Sequence, residues 1–380
     1  MLNSKTEALG IIFPNSYDAM VPELASERLM ASIPFASRYR MCDFILSSMV
    51  HSGIDNISII VRKNYHSLLD HLGAGREWDL VRKNGGLNIV PPFAQKQVKV
   101  FEGRIEALES LRGYLLKQPQ KYVIMTDANI AINFDFNELL DAHIKSGADV
   151  TMMYRKQEIP KAFIRQSRDR MDLYYALGMN GDRVSKIYIN PTEEGEMNFS
   201  MNIYVVEREF LINMIDDAYV HGHTYFVRDL LDKQIDRLDI RGFCYDGYVV
   251  NIHDTQSYFE ENMRLLQEEN LNALFSPNQI YTKIRDDNPT RYVAGSSVKN
   301  SLLADGCVIE GTVENCVLFR GCQVKKGAVV KNCVLMQDTV VETDCGVEYV
   351  VTDKNVHITA GKKLAGTDTF PVFVAKNHSV

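Results

Sequence analysis

The chain has 380 residues, 46% of them hydrophobic and 24% charged, and its formal net charge is −7 at pH 7. These values exclude a disordered or collagen-like chain, and the lack of any run rich in Lys and Arg excludes the basic surface with which proteins usually bind nucleic acid. A chain of this length is expected to fold as two domains.

The N-terminal segment carries no familiar targeting signal. Residues Met1 to Glu7 lack the charged and then apolar order of a signal peptide. No apolar run in the sequence approaches the ~20 residues that a membrane-spanning helix needs. We therefore expect a cytoplasmic protein that binds neither a membrane nor nucleic acid.

From residue 8 to about residue 250, short apolar runs alternate with segments of helical period. This alternation is typical of βαβ units around a mostly parallel sheet, so the first domain is predicted to be of the α/β class. One helix is predicted over Cys42–His51, with Gly53 as its stop. The predicted strands are Ala8–Phe13, Ile57–Val61, Tyr122–Met125, Val150–Tyr154 and Asn202–Val206.

A helical segment between Asp254 and Ala273 closes this first domain, which we place at residues 1–275. The polar, proline-containing residues 276–291 are interpreted as a linker. The remaining residues, 292–380, have a different pattern of single apolar residues between turn-like polar pairs, and we predict a separate domain there.

Hexapeptide repeats characterise this second domain. The segments that begin at Val324, Val330 and Met336 repeat in blocks of six residues. One such block cannot bury its apolar face alone, so three blocks form a coil, and the coils stack into a β-helix with a shared core. An irregular β-sandwich is the alternative interpretation.

Five of the seven cysteines lie in the repeats, without CxxC spacing. Together with other small side chains they form two series with one five-residue step between them: Cys316, Cys322 and Ala328, then Cys333, Thr339 and Cys345. Ligands spaced six residues apart lie along one edge of the coil stack and cannot converge on zinc. We interpret the cysteines as reduced core thiols.

A series of ordered blocks begins at Ile33, Gly103, Tyr122, Ser200, Gly247, Leu318 and Met336. In this order the blocks resemble the ADP-glucose pyrophosphorylase family over nearly the whole chain. The resemblance implies a nucleotidyltransferase-type, Rossmann-like domain followed by a left-handed β-helix. It also implies the family's reaction, which is attack by glucose 1-phosphate on the α-phosphate of ATP, assisted by Mg²⁺.

The family's phosphate-binding loop aligns with the segment between Ile12 and Phe35. Its three glycines, which let backbone N–H groups approach phosphate closely, fall on Asn15, Ser16 and Asp18. Its arginine falls on Met20, and a lysine that follows falls on Met30. Because Asp18 would put a carboxylate where phosphate should lie, we expect this loop not to hold ATP.

The resemblance also implies two aspartates that hold Mg²⁺. Asp127 matches the first, but the second falls on Asn251, a neutral amide and therefore a weaker ligand. Asp254, next to His253, is the alternative second carboxylate if the alignment shifts. Without a second carboxylate, Asp127 is equally interpretable as a capping or turn residue.

Two further sites follow from the resemblance. In the sugar-phosphate site Asn190 replaces a lysine, whereas Ser200 is retained and is expected to hold a sugar hydroxyl. Arg38 and Arg40 lie where related enzymes bind sugar-phosphate effectors. Their spacing predicts one strand face that grips a phosphate, and the alternative is a pair of solvated or ion-paired arginines.

These losses together predict negligible turnover and no metal or other cofactor on this chain. The segments Pro22–Leu24 and Ile33–Phe35 resemble the regulatory D subunit of bacterial glycogen biosynthesis. That resemblance implies a heterotetramer with a catalytic homologue, which binds the Mg²⁺. The alternatives are an active glucose-1-phosphate adenylyltransferase with unusual ligands and a hexapeptide-repeat acyltransferase that uses His357.

Overall fold

A computed structural model describes residues 7–91, 103–166, 174–193 and 195–380. The strands of the first domain are β1 Ala8–Phe13, β2 Pro34–Phe35, β3 Tyr39–Arg40, β4 Asn56–Ile60, β5 Gly86–Val90, β6 Tyr122–Asp127, β7 Ile130–Ala131, β8 Val150–Glu158, β9 Tyr175–Asn180, β10 Arg183–Ile189, β11 Glu196–Glu207, β12 Ile240–Cys244 and β13 Val250–Asn251. The α-helices are α1 Pro22–Ala25, α2 Met41–His51, α3 His66–Leu72, α4 Arg104–Leu115, α5 Phe136–Ser146, α6 Lys161–Gln166, α7 Arg208–Val220, α8 Thr255–Arg264 and α9 Glu268–Phe275.

Nine of these strands form one sheet in the order β5-β4-β1-β6-β11-β8-β12-β10-β9. The four strands β5, β4, β1 and β6 are parallel, as predicted for βαβ units. The second half of the sheet is mixed, because β11 runs antiparallel to both β6 and β8. The β9–β10 hairpin leads into β11 by a short connection, and a parallel strand would need a crossover of a dozen or more residues.

Side chains of the central strands alternate between two apolar cores, one on each face of the sheet. On β1, Leu9, Ile11 and Phe13 belong to one core, whereas Ala8 and Ile12 belong to the other. This period-two pattern with apolar residues on both faces is typical of a sheet covered by helices on both sides. Because β1 and β6 are parallel neighbours, their carboxyl ends meet at the same edge of the sheet. The candidate site lies at this edge.

The predicted helical segment from Asp254 to Ala273 is two helices rather than one. Asp254 caps α8, since its carboxylate accepts a hydrogen bond of 2.7 Å from the Ser257 N–H. The chain turns after α8 and buries Leu265 completely. Glu268 and Glu269 then begin α9, where acidic side chains favour a helix N-terminus.

The second domain is a left-handed β-helix of three parallel sheets, each with five strands. Its strands are β14 Arg291–Tyr292, β15 Ser297–Lys299, β16 Leu302–Leu303, β17 Val308–Ile309, β18 Thr312–Glu314, β19 Val317–Leu318, β20 Gln323–Val324, β21 Val329–Lys331, β22 Val334–Leu335, β23 Val340–Val341, β24 Gly346–Glu348, β25 Val350–Thr352, β26 His357–Ile358, β27 Lys363–Ala365 and β28 Val372–Val374. The strand orders are β14-β17-β20-β23-β26, β15-β18-β21-β24-β27 and β16-β19-β22-β25-β28.

The small side chains of the two predicted series are buried in the core of the β-helix, but the prediction that residues six apart lie along one edge of the stack is wrong. Successive blocks lie in three different sheets, since Cys316 precedes β19, Cys322 precedes β20 and Ala328 precedes β21. The register that pairs Val317 with Val334 stacks Cys316 on Cys333 in successive coils. The five cysteines of this domain are buried, and all seven cysteines of the chain are free thiols. Several of these thiols donate hydrogen bonds to backbone carbonyls, such as the one from Cys333 Sγ to the Lys331 oxygen at 2.9 Å.

The two domains share an apolar interface and a buried ion pair. Outward-facing side chains of the β-helix, among them Val317 and Val334, pack with Tyr258 of α8 in a common core. Within this interface the Arg28 guanidinium donates two hydrogen bonds to the Asp353 carboxylate, at 2.8 and 3.0 Å. Among the residues that the structure describes, no helix has the length and apolarity that crossing a membrane requires.

Candidate functional site

The loop after β1 is held in shape by its own polar side chains. Asn15 donates from Nδ2 to Asp18 Oδ2 at 2.6 Å and accepts the Arg62 N–H at 3.0 Å. The other Asp18 oxygen accepts the N–H of Met30 at 2.7 Å. The resemblance aligns Asn15 and Asp18 with glycines of the family's loop, and here their side-chain oxygens satisfy backbone N–H groups around the loop.

Met30, at the position of the family's lysine, is 1% exposed and belongs to the apolar core. The neighbouring carboxyl of Asp18 is also in a poorly solvated place. Burial raises the pKa of Asp18 to about 6, against the lowering effect of its hydrogen bonds from Met30 and Asn15. A carboxylate and an apolar side chain thus occupy the positions that the resemblance assigns to phosphate binding, which depends on positive charge and open N–H groups.

Asp127 ends β6 and is completely buried. Its Oδ1 atom accepts two hydrogen bonds, one of 2.7 Å from Arg104 Nη2 and one of 2.6 Å from Ser16 Oγ. Burial raises the pKa of the Asp127 carboxyl, and Arg104 and Ser16 act against that rise. Burial alone would lower the pKa of Arg104, but the charge of Asp127 and nearby tyrosines outweighs it, and the guanidinium stays charged.

The two candidates for a second metal ligand have other partners. Asn251 lies in β13 and accepts a hydrogen bond from Asn129 Nδ2 at 3.2 Å. Asp254 is the cap of α8, and it faces Arg165 at 3.8 Å. Arg104 and the Ser16 hydroxyl contact Asp127 Oδ1, so a carboxylate beside a fixed cation takes the place of a metal-binding pair, and this set does not fit Mg²⁺.

Aromatic side chains lie in the region to which the resemblance assigns the sugar-phosphate site. A cavity of about 20 Å³ is lined there by Tyr17, Phe163, Phe199, Ser200 and other residues. Such a volume has room for about one water molecule. Ser200 is 2% exposed, and its hydroxyl accepts the Asn202 N–H at 3.2 Å.

Asn190, at the position of the missing lysine, has a structural contact. Its backbone is left-handed, with φ of 48°. Its side-chain oxygen accepts the Tyr174 N–H at 3.0 Å, and its own N–H donates to the Tyr174 oxygen at 2.9 Å. Asn is one of the few residues that adopt this conformation readily, so the position fixes the path of the chain next to β10.

The prediction that Arg38 and Arg40 share one strand face is wrong. Only Arg40 lies in β3, because the chain turns through left-handed residues at Ala36 and Ser37 just before. Arg38 is 42% exposed and faces Asp305 of the β-helix at 3.8 Å. Arg40 donates from Nη1 to the Ser67 carbonyl at 2.6 Å, towards α3.

Arg40 belongs instead to a group of basic side chains at the domain interface. Burial, together with the charges of Arg40 and Arg28, lowers the pKa of Lys354 to about 7. Burial likewise lowers the pKa of Arg40. Asp353, which pairs with Arg28, opposes the shift of Lys354 but does not cancel it. An anion placed here would relieve the mutual repulsion of these cations.

A second cluster of titratable groups lies at the start of α2. Among the described residues, Cys42, Asp43 and His71 form the one group whose possible metal-ligand atoms all lie within 4.8 Å of one another. A hydrogen bond of 2.6 Å joins His71 Nε2 to Asp43 Oδ1, and the other Asp43 oxygen accepts the Arg40 N–H at 2.9 Å. These hydrogen bonds satisfy Asp43 and fix the N-terminus of the helix.

Sequence reasoning missed Arg104. The available signal was its position, because a cation in the first turn of a helix opposes the macrodipole and calls for a specific anionic partner. Gly103 precedes it, and a Cβ atom at that position would lie 2.2 Å from the Thr224 oxygen. The glycine thus lets α4 begin close to the π-helical segment Phe226–Asp232, and this brings Arg104 to Asp127.

Comparison with known proteins agrees with this architecture. The nucleotidyl transferase family model matches residues 23–268, and the model named GlmU-like, C-terminal hexapeptide matches residues 284–369. The chain is 33% identical over 374 residues to glycogen biosynthesis protein GlgD of Bacillus subtilis (strain 168), which covers 97% of this chain and 96% of that protein.

Two proteins of Geobacillus stearothermophilus are also similar. One is its glycogen biosynthesis protein GlgD, 35% identical over 324 residues, with 85% of this chain and 82% of that protein covered. The other is its glucose-1-phosphate adenylyltransferase, 29% identical over 336 residues, with 86% and 84% covered. The chain therefore belongs to the glucose-1-phosphate adenylyltransferase (ADP-glucose pyrophosphorylase) family, and it resembles the glycogen biosynthesis proteins GlgD within it.

Proposed function

We propose that this chain is a catalytically silent, regulatory subunit of glucose-1-phosphate adenylyltransferase in glycogen biosynthesis. The observation that carries the proposal is the loop after β1, where the Asp18 carboxylate accepts the Met30 N–H. Transfer of a nucleotidyl group depends on positioned donors and cations around the phosphates, and each missing donor costs a few kcal/mol of transition-state stabilisation. In this chain the Asp18 carboxylate lies at a position that the resemblance assigns to phosphate binding.

The filled sugar region supports the same proposal. Glucose 1-phosphate would have to displace Phe163, Phe199 and Tyr174, whose rings pack together with centroids 5.2 to 6.1 Å apart. Such packing belongs to a core, and opening it would expose a large apolar area. The alternative, an active adenylyltransferase, would require both this cluster and the loop to rearrange.

Retention of the whole scaffold favours a role on another subunit. The open first coil of the β-helix is a surface that suits such a partner. Tyr292 is 57% exposed, whereas Ile309, its counterpart one coil later, is fully buried. Strands β14, β15 and β16 end their sheets. We propose that the β-helix of a catalytic homologue covers this end within a heterotetramer, with Mg²⁺ bound by the catalytic chain.

The basic group at the domain interface supports an effector site for phosphate or a sugar phosphate. It joins Arg40 of the predicted pair to Arg28 and Lys354, and the pKa of Lys354, about 7, follows from burial beside these two arginines. Arg38 lies apart from this group, against Asp305. A bound anion raises the pKa of a neighbouring amine, so binding takes up a proton. Sulfate, an analogue of phosphate whose charge is constant between pH 6 and pH 8, should therefore bind more tightly at pH 6 than at pH 8, and Lys354→Met should remove most of that difference in isothermal titration calorimetry.

The partnership is tested by mixing the chain with a catalytic homologue. Co-expression followed by size-exclusion chromatography should give one mixed oligomer. Tyr292→Glu should weaken it by placing a charge in the interface, whereas Phe370→Glu, at a residue 78% exposed elsewhere on the β-helix, is the matched control. Separate elution of the two wild-type chains would contradict the proposed assembly.

A further inference from the structure

The ion pair at the carboxyl end of β6 has an unusual composition for this site. The resemblance assigns Asp127 as a metal ligand, yet Arg104 Nη2 lies 2.7 Å from its Oδ1 atom. Asp127 is fully buried, and the Arg104 side chain is 15% exposed. The carboxylate is therefore already neutralised by a cation that belongs to the chain.

We infer that Arg104 is the resident cation of this pocket and that it excludes a divalent cation from Asp127. The inference concerns the same pocket as the proposed function. It is tested by metal binding to the purified chain, which depends neither on a partner subunit nor on turnover, so the two proposals can fail separately.

The Oδ1 atom of Asp127 already has hydrogen-bond donors. This oxygen accepts hydrogen bonds from both Arg104 and Ser16, at 2.7 and 2.6 Å. A Mg²⁺ ion bound to Oδ1 would need the same lone pairs at about 2.0–2.1 Å, and an ion bound to the other oxygen, Oδ2, would share the carboxylate with Arg104. The ion would then lie close to a guanidinium that cannot lose its proton, in a poorly solvated place where like charges repel strongly.

The Arg104 guanidinium is held in place from several sides. It lies over the Phe13 ring at 4.6 Å from the centroid and over the Tyr204 ring at 5.6 Å. Its backbone is fixed at the start of α4, where Ile105 N–H donates to the Thr224 oxygen at 3.3 Å. Stacking on aromatic rings and a short ion pair leave little room for Arg104 to swing away from Asp127.

Asn251, the other position that the resemblance assigns to the metal, supplies no second carboxylate that could offset the charge of Arg104. Asn251 is neutral, and its oxygen accepts a hydrogen bond from Asn129. Asn202 lines both the cavity beside Asp127 and the small cavity beside Asn251. A carboxylate placed at Asn251 would thus lie on the other side of Asn202 from Asp127. The charge of Arg104 would still repel a metal ion bound to Asp127.

The test measures Mn²⁺ binding to the full chain by electron paramagnetic resonance at pH 7.5. The wild type and Asn251→Asp should bind no Mn²⁺ in this pocket. Arg104→Met keeps the apolar stem over Phe13 and removes the charge, so Arg104→Met/Asn251→Asp should bind one Mn²⁺, with an affinity at least tenfold above the detection limit at which Asn251→Asp shows no binding. Adding Asp127→Asn to that variant should abolish the site.

Two results would overturn the inference. One is a Mn²⁺ site in the wild type that Asp127→Asn removes. The other is a folded Arg104→Met/Asn251→Asp variant that binds Mn²⁺ no better than Asn251→Asp. Because Arg104→Met leaves Asp127 without its cation and can prevent folding, thermal unfolding of the wild type and of Asp127→Asn in excess MnCl₂ gives a second measurement. Equal shifts of Tm support the inference, and an Asp127-dependent increase contradicts it.

Discussion

Single residues in the loop after β1 accept hydrogen bonds from backbone N–H groups instead of leaving those groups open for phosphate. A loop that binds phosphate keeps its N–H groups open, and here Asp18 accepts the N–H of Met30 while Asn15 accepts that of Arg62. Each buried N–H that lost such an acceptor would cost about 1–3 kcal/mol. Reverting one residue to glycine would therefore remove a structural contact without restoring a phosphate site.

The charge of Asp18 predicts a particular dependence of stability on pH. Its folded-state pKa is about 6, above the ordinary 3.8, so the folded chain binds the proton more tightly than the unfolded chain. The contribution of Asp18 is then most favourable below pH 4 and declines as the pH rises through 6. Relative to Asp18→Asn, the wild type should lose about 1–3 kcal/mol of unfolding free energy between pH 4 and pH 7.

Urea denaturation at several pH values measures this difference. Comparing the slopes of the two proteins cancels the fixed effect of exchanging oxygen for nitrogen in the substitution. Parallel curves for the wild type and Asp18→Asn would show that the carboxyl is not perturbed by burial.

The sequence allowed the replaced site residues to be named but not their new contacts. Asn15, Asp18, Asn190 and Asn251 could be identified from the alignment of family blocks alone. Their hydrogen-bond partners lie far away in the chain, as with Asp18 and Met30, and local pattern carries no information on such pairs. Arg104 was missed for the same reason, since its partner Asp127 is 23 residues away.

Among the secondary-structure elements, those with strong periodicity were predicted well. Strand β1 and helix α2 match to within one residue, and the six-residue repeats led to the β-helix. The mixed half of the sheet was not anticipated, because strand direction depends on connections rather than on residue pattern. The break between α8 and α9 was missed because Leu265 continues the apolar period while the backbone turns.

The β-helix predicts a simple pattern of thiol reactivity. Its five cysteines are buried in the coil stack, Cys42 is buried in the first domain, and Cys244 is partly exposed. Native protein should therefore react with a thiol reagent at Cys244 alone on a short timescale, and Cys244→Ser should remove that signal. Denatured protein should react at all seven cysteines without a reductant, and a lower count would reveal disulfides.

At the scale of the whole molecule, the two domains depend on each other through Arg28 and Asp353. These side chains are only 3% and 2% exposed. Removing one partner of such a pair leaves a buried, unpaired charge, and this typically costs about 3–5 kcal/mol. Because Arg28 and Asp353 belong to different domains, the folded state of each domain depends on the other through this ion pair.

A double-mutant cycle tests this coupling. Arg28→Met should lower the free energy of unfolding by about 3–5 kcal/mol, and Arg28→Met/Asp353→Asn should recover most of the loss because neither charge of the pair is then left buried without its partner. The asparagine can still accept the Lys354 N–H. Lys376→Ala, which breaks the exposed pair with Glu27, is the control and should change stability by less than about 1 kcal/mol. Equal losses in the single and double variants would contradict the coupling.

The most direct measurement for the whole account is a steady-state assay of ADP-glucose formation with three samples: this chain, a catalytic homologue, and the two together. The chain alone should form no product above background, and Asn251→Asp alone should not change that. The mixture should differ from the catalytic chain in maximal rate or in substrate affinity, since a regulatory subunit binds one conformation of its partner preferentially. A turnover number for the pure chain within about tenfold of the catalytic homologue, a barrier difference of only ~1.4 kcal/mol, would contradict the account.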